Sequence, residues 1–204
     1  MASLFPASVD TFSTPTAGSA TSSPSHATLH VNVNNAITNA QTYMGLVLIK
    51  SQTIGTAVTS VEVTSAFSAT YDAYKIVATG VTVTGGNESV SMTLGNSSGY
   101  TVSGYDSGMI FNSAGVSTVA NGNATSWNFV CSYGTATGMP LNIDVYSPFQ
   151  ASPTAFSGIY ARADNYGTPT GTLTGTTSYD RFTLQLVSSG SLTGGKIRVY
   201  GYRQ

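Results

Sequence analysis

The chain has 204 residues, enough for one ordinary domain and an appendage, and 30 Thr, 28 Ser and 22 Gly fill 80 of its positions. Only 7% of residues are charged, seven basic against eight acidic for a net charge of −1. That leaves no basic stripe for nucleic acid and no polybasic patch for a membrane surface.

Residues 1–28 are rich in Ser, Thr, Pro and Ala, and Pro6, Pro15 and Pro24 exclude a helix or a central strand there. Leu4, Phe5, Val9 and Phe12 are apolar anchors that a free linker does not need, so the segment reads as an extended arm laid on another surface. The competing reading is a disordered tail. The opening Met1-Ala2-Ser3-Leu4-Phe5-Pro6 lacks the basic and apolar regions of a secretory leader. No stretch approaches the roughly 18 apolar residues that cross a bilayer, so no membrane insertion is expected.

Residues 26–44 carry the one convincing helical pattern. Leu29, Val33, Ala36 with Ile37, Ala40, and Tyr43 with Met44 recur at alternating steps of four and three, Ser25 stands at the N-cap and Gly45 at C′. A helix this short is marginal alone in water, and its polar positions hold Asn, Thr and Gln, so surface ion pairs do not support it. Its apolar seam therefore needs a partner, either the chain's own β domain or further copies of the same helix.

From Leu46 onward the period changes to two, and the hydrophobic content of 41% suffices for a core. Strands are predicted at Leu46–Ile54, Ser60–Val63, Tyr74–Thr84, Glu88–Leu94, Gly108–Phe111, Ser126–Tyr133, Leu141–Tyr146, Phe156–Ala163, Arg181–Val187 and Gly195–Tyr202. Phe182, Leu184 and Leu186 share one face of their strand; Ile197 and Val199 oppose Arg198, Tyr200 and Tyr202. Turns are predicted at Gly85-Gly86-Asn87, Gly95-Asn96-Ser97, Asn121-Gly122-Asn123 and Gly194-Gly195. The fold class is therefore mainly β: an antiparallel, jelly-roll-like β-sandwich over residues 46–204, preceded by an extended arm and one short helix over residues 1–45. Thr and Ser on the polar faces leave edge strands without their usual charge protection, which favours cover by a partner subunit.

Chemistry-bearing motifs are sparse. Gly95-Asn96-Ser97-Ser98-Gly99 matches G-x-S-x-G in form, but no helical pattern follows and both histidines precede the serine, so it reads as a turn. His26 and His30 stand four apart with Asn34 one turn further, a spacing that suits hydrogen bonding between arm, helix and neighbouring chains better than a metal, since no carboxylate joins them. Glu62, Asp72, Glu88, Asp106, Asp144, Asp164 and Asp180 show no pair at a spacing diagnostic of acid–base catalysis, although Asp144 and Asp164 both fall on predicted strands. Lone Cys131 lies in an apolar run and reads as buried filler. Tyr100, Tyr105, Tyr166, Tyr179, Tyr200 and Tyr202 are placed in loops or on outer faces, for interfaces or for stacking on sugars. The three sequons, at Asn87, Asn96 and Asn123, match chance for this composition. No cofactor and no enzymatic activity are expected.

Phe5-Pro6-Ala7-Ser8-Val9-Asp10-Thr11-Phe12, Pro15-Thr16-Ala17, Ser25-His26 with His30, and Asn34-Asn35-Ala36-Ile37 ahead of Gly45 together resemble the N-terminal module of tailed-phage virion proteins, which reads F-P-x-S-x-D-x-F, S-H-x-x-x-H, N-x-A-I and a short helix ending in Gly. The closing Gly194-Gly195-Lys196-Ile197-Arg198-Val199-Tyr200-Gly201-Tyr202-Arg203, with Thr177-Ser178-Tyr179-Asp180 ahead of Phe182, is similar to the last strands of β-sandwich modules on phage fibres and head decorations. The resemblance implies a structural protein of the virion, made in the host cytoplasm and carried on the particle surface. Its partners are other copies of the chain, as a homotrimer, and a major capsid or tail protein. The attachment and self-association residues are Phe5, Pro6, Asp10, Phe12, His26, Leu29, His30, Val33, Asn34, Ile37 and Ala40. A capsid decoration or cement protein is the leading expectation. The runner-up is a tail fibre or tail tip whose β-sandwich binds a host surface glycan, and a polysaccharide depolymerase stands third.

Overall fold

Alternation of branched or aromatic residues with Thr and Ser governs almost the whole of the chain beyond Gly45. A computed structural model describes residues 30, 31, 33–35, 37, 38, 45–85, 88–112, 114–133, 141–162, 165–188 and 190–203. Among them the strands are β1 (Leu46–Thr53), β2 (Ser60–Val63), β3 (Ala73–Thr79), β4 (Thr82–Thr84), β5 (Glu88–Asn96), β6 (Gly99–Tyr100), β7 (Tyr105–Asn112), β8 (Val116–Ala124), β9 (Trp127–Tyr133), β10 (Leu141–Tyr146), β11 (Thr154–Arg162), β12 (Asn165–Leu173), β13 (Arg181–Leu186), β14 (Ser191–Thr193) and β15 (Lys196–Tyr202). The largest sheet runs β1-β15-β3-β10-β11-β12-β7-β8; a second runs β2-β13-β5-β6 with β9 also on β5; β14 and β4 form a two-stranded ribbon. Ladders in all three are antiparallel, so the mainly β, antiparallel expectation holds.

Residues Ile49–Tyr202 form one compact unit. Within it, the alternate residues of both large sheets join one buried cluster. Phe182, Leu184 and Leu186 are buried together on β13, and Ile197 and Val199 on β15, as their spacing predicts. Trp127, on β9, ties the sheets together. Its ring lies 4.8 Å from Phe156 of β11 and 5.5 Å from Tyr105 of β7, and its Nε1–H donates to the Thr172 carbonyl of β12 at 2.9 Å. Tyr105 reaches the opposite way, its hydroxyl accepting the Leu94 N–H of β5 at 2.8 Å. Cys131 is fully buried in the same core cluster.

Several strand boundaries differ from the sequence reading, each for a local reason. The single strand predicted over Tyr74–Thr84 is two, β3 and β4, in different sheets, because Gly80 turns the backbone with φ +70°. Asn121-Gly122-Asn123 is not a turn: it lies inside β8, where the register with β7 shifts between Tyr105 and Ser107. Asn123 takes φ 50° and its N–H donates to Asp106 Oδ1 at 2.8 Å, so the Asn-Gly-Asn signal marks a bulge. No strand is predicted over β12, whose alternation Pro169, Gly167 and Gly171 interrupt. Pro169 has no N–H to donate, and the β11–β12 ladder skips from Ser157↔Thr170 to Tyr160↔Gly167 in one register around it. The second unit comprises Met1–Leu48 and Arg203–Gln204. Its described residues at 30, 31, 33–35, 37 and 38 are helical, within the predicted helix.

Candidate functional site

Of the expected attachment residues, Phe5, Pro6, Asp10, Phe12, His26, Leu29 and Ala40 lie outside the described residues. His30, Val33, Asn34 and Ile37 lie on the helix. Val33 and Ile37, four apart and so on one helical face, are 55% and 40% exposed. The Ser97-Ser98 pair within G-x-S-x-G turns β5 into β6, and the Ser98 N–H is held by Asn96 Oδ1 at 2.9 Å.

The carboxylates whose side chains are described, Glu62, Asp72, Asp106, Asp144 and Asp180, are engaged in local bonds. Glu62 accepts the Tyr100 hydroxyl at 2.6 Å and lies 3.8 Å from Arg181, which also grips Asp180 through Nε at 2.7 Å. The bond to Asp180 holds the Arg181 guanidinium above its ordinary pKa, and burial followed by the Glu62 bond raises the Tyr100 phenol. Asp72 accepts from Gln150 Nε2. Asp144 stands on the outward face of the eight-stranded sheet, away from Glu62 on the second sheet, and Asp164 lies outside the described residues. Among the described residues no three His, Cys, Asp or Glu side chains group as a metal site, and no helix is long and apolar enough to cross a membrane.

Two of the six tyrosines assigned to loops or outer faces are core residues. Tyr105 and Tyr179 are buried because each hydroxyl has an internal partner, Leu94 for the first and Thr101 Oγ1 at 3.2 Å for the second. Burial raises the Tyr105 phenol well above its ordinary pKa. Tyr166 is the most exposed of the remainder.

A concave feature lies on the outward face of the eight-stranded sheet, a trough of about 630 Å³. Strand register builds it. Ala120, Gly108, Thr170, Ser157, Asp144 and Lys75 stand opposite one another on β8, β7, β12, β11, β10 and β3, one outward row running across the strands. Gly108, Thr170 and Ser157 are small, so they form its floor. Ile110 and Ile159, 58% and 60% exposed, rise in the neighbouring row with Thr168 and Asn142. On the other side the floor is shared with a shallower recess of about 340 Å³ bounded by Asp106 and Thr172.

At the β3 end Lys75 Nζ donates to Asp144 Oδ1 and Asn142 Oδ1, both at 3.0 Å, and the Tyr202 hydroxyl donates to the same Asp144 oxygen. Burial, reinforced by that bond, raises the Tyr202 phenol. The ion pair cancels the charge of both members, so the trough presents hydroxyls, an amide and aliphatic surface with no net charge. Tyr146 and Ser157 hydroxyls share a bond of 3.2 Å at its margin. Sequence reasoning had singled out Asp144 alone of this row. Lys75 is a lone basic residue within a predicted strand, the rest are Thr, Ser, Gly and Ala, types too common here to stand out, and only the cross-strand register reveals their alignment.

No family model, curated protein or solved structure matches the chain.

Proposed function

We propose that the chain is a non-enzymatic structural component of a tailed-phage virion, a homotrimeric capsid decoration or cement protein. Residues 1–28 lie as an arm on the capsid, residues 29–44 gather the subunits, and residues 46–204 form a jelly-roll β-sandwich exposed on the particle. The observation that carries self-association is the pair Val33 and Ile37, half exposed on one face of a helix too short to stand alone. They fall in the segment whose sequence resembles a virion attachment module.

Strand order supports the jelly roll. In chain order, β1, β2, β3, β5, β9, β10, β13 and β15 make eight; one sheet contains first-eighth-third-sixth, and the other second-seventh-fourth-fifth. Each strand of the first half pairs with its counterpart in the second half, the arrangement made by winding one long antiparallel hairpin around a core. The remaining large-sheet strands extend one sheet from β10, and β8 ends it as a nine-residue edge without a charged residue. Such an edge is a pairing hazard unless covered, which suits a protein packed on a particle.

Electron cryo-microscopy of the intact particle tests the assignment. Three-fold clusters of jelly-roll density on the capsid, with the opening segment lying on the shell, are expected. A particle that lacks the chain overturns the proposal.

A further inference from the structure

The trough is complete within one chain, so what it binds is a question separate from how the chain is attached. We propose that it holds an extended, uncharged oligosaccharide, laid across β8, β7, β12, β11 and β10 towards Lys75. Its dimensions suit a linear polymer: from β8 to β3 are five strand spacings of about 4.8 Å, or roughly 24 Å.

Its chemistry selects among polymers. Lys75 is neutralised by Asp144 at 3.0 Å, so no cationic site remains there for a phosphate chain or a polyanionic sugar. A peptide normally binds a sheet through its edge, whereas the backbone groups beneath this row are already paired in ladders on both sides. A sugar makes the opposite demand. Each of its hydroxyls both donates and accepts. The Thr168 hydroxyl rotates to meet either need, while the Thr170 hydroxyl, which donates to the Phe156 carbonyl at 3.1 Å, and the Ser157 hydroxyl, shared with Tyr146, keep lone pairs to accept from a sugar. The Asn142 amide nitrogen adds donors, its Oδ1 already accepting from Lys75. Sugar rings also carry apolar C–H faces, and the exposed Ile110 and Ile159 supply apolar surface along the same trough.

The test is calorimetric titration of the full chain with four linear hexasaccharides: α1,4-glucose, β1,4-glucose, β1,4-N-acetylglucosamine, and α1,4-galacturonate as the anionic member. Saturable binding of a neutral hexamer is expected, changed by less than roughly twofold on raising salt, because no counterions are released. Thr170→Trp, which fills the floor, should weaken it at least tenfold, while Gln185→Trp on the exposed face of the second sheet leaves it unchanged. If Thr170→Trp does not fold, Thr118→Trp blocks the β8 end of the trough from an exposed position and should also weaken binding. Failure of all three neutral hexamers to bind overturns the proposal. So does preference for galacturonate, or undiminished binding by a folded trough variant.

Discussion

Two regions of this molecule place valine and isoleucine differently. In the β region the inward-facing Ile76, Ile143, Val145, Ile197 and Val199 are fully buried, while outward-facing Ile110 and Ile159 stay 58% and 60% exposed; on the helix both described members, Val33 and Ile37, are 55% and 40% exposed. The β strands form a surface that closes on itself, since every second residue points into a core shared by two sheets. A short helix has only a stripe to bury. The difference teaches that one region stabilises itself within a copy, whereas the other, on the function proposed above, needs a surface to dock on.

The most severe way to break the self-sufficient region is Trp127→Ala. It removes a fully buried indole, its contacts with Tyr105 and Phe156 and its bond to Thr172, and should cost about 3–5 kcal/mol in urea unfolding. The comparison is sharpened by Val33→Asp and Ile37→Asp. Each places a charge in the proposed seam and should weaken association roughly a hundredfold by sedimentation, with the thermal midpoint of the β region unchanged. Gly171→Ala is a smaller core perturbation. Its Cβ would stand 2.5 Å from Phe156 Cε1 and 2.6 Å from the Asp106 carbonyl oxygen, so overpacking of about 1–3 kcal/mol is expected in the same unfolding measurement.

Tyr105→Phe deletes one hydroxyl and leaves the buried Leu94 N–H without it, a loss of about 1–2 kcal/mol near neutral pH. The smallest effect is its pH dependence. Burial raises the Tyr105 phenol in the folded chain above the 10.0 of an exposed tyrosine. Its stabilising contribution is therefore intact below pH 10 and declines as pH rises through and beyond that value, because the unfolded chain releases the proton first. Urea midpoints measured from pH 8 to pH 11 should fall more steeply for the natural chain than for Tyr105→Phe.

The β character was legible wherever the alternation was clean. β2 and β10 end where their patterns end, and the opposed faces of β13 and β15 follow from alternate residues. Legibility failed where a residue carried two meanings. Asn-Gly-Asn serves turns and bulges alike, and in β8 the pairing with β7 selects the bulge. Pro169 argued against a strand, yet β12 accommodates it by omitting ladder pairs on one side. The trough was the least legible part, because Gly108, Thr170 and Ser157 come from three strands and acquire a common role only through register.

Sedimentation equilibrium of the full chain over a wide concentration range probes the central claim most directly. If the helical stripe is satisfied by neighbouring copies, the natural protein sediments at three times its 21.0 kDa mass and Ile37→Asp shifts it towards the monomer. A species of 21.0 kDa at every concentration, indistinguishable from the variant, contradicts the account.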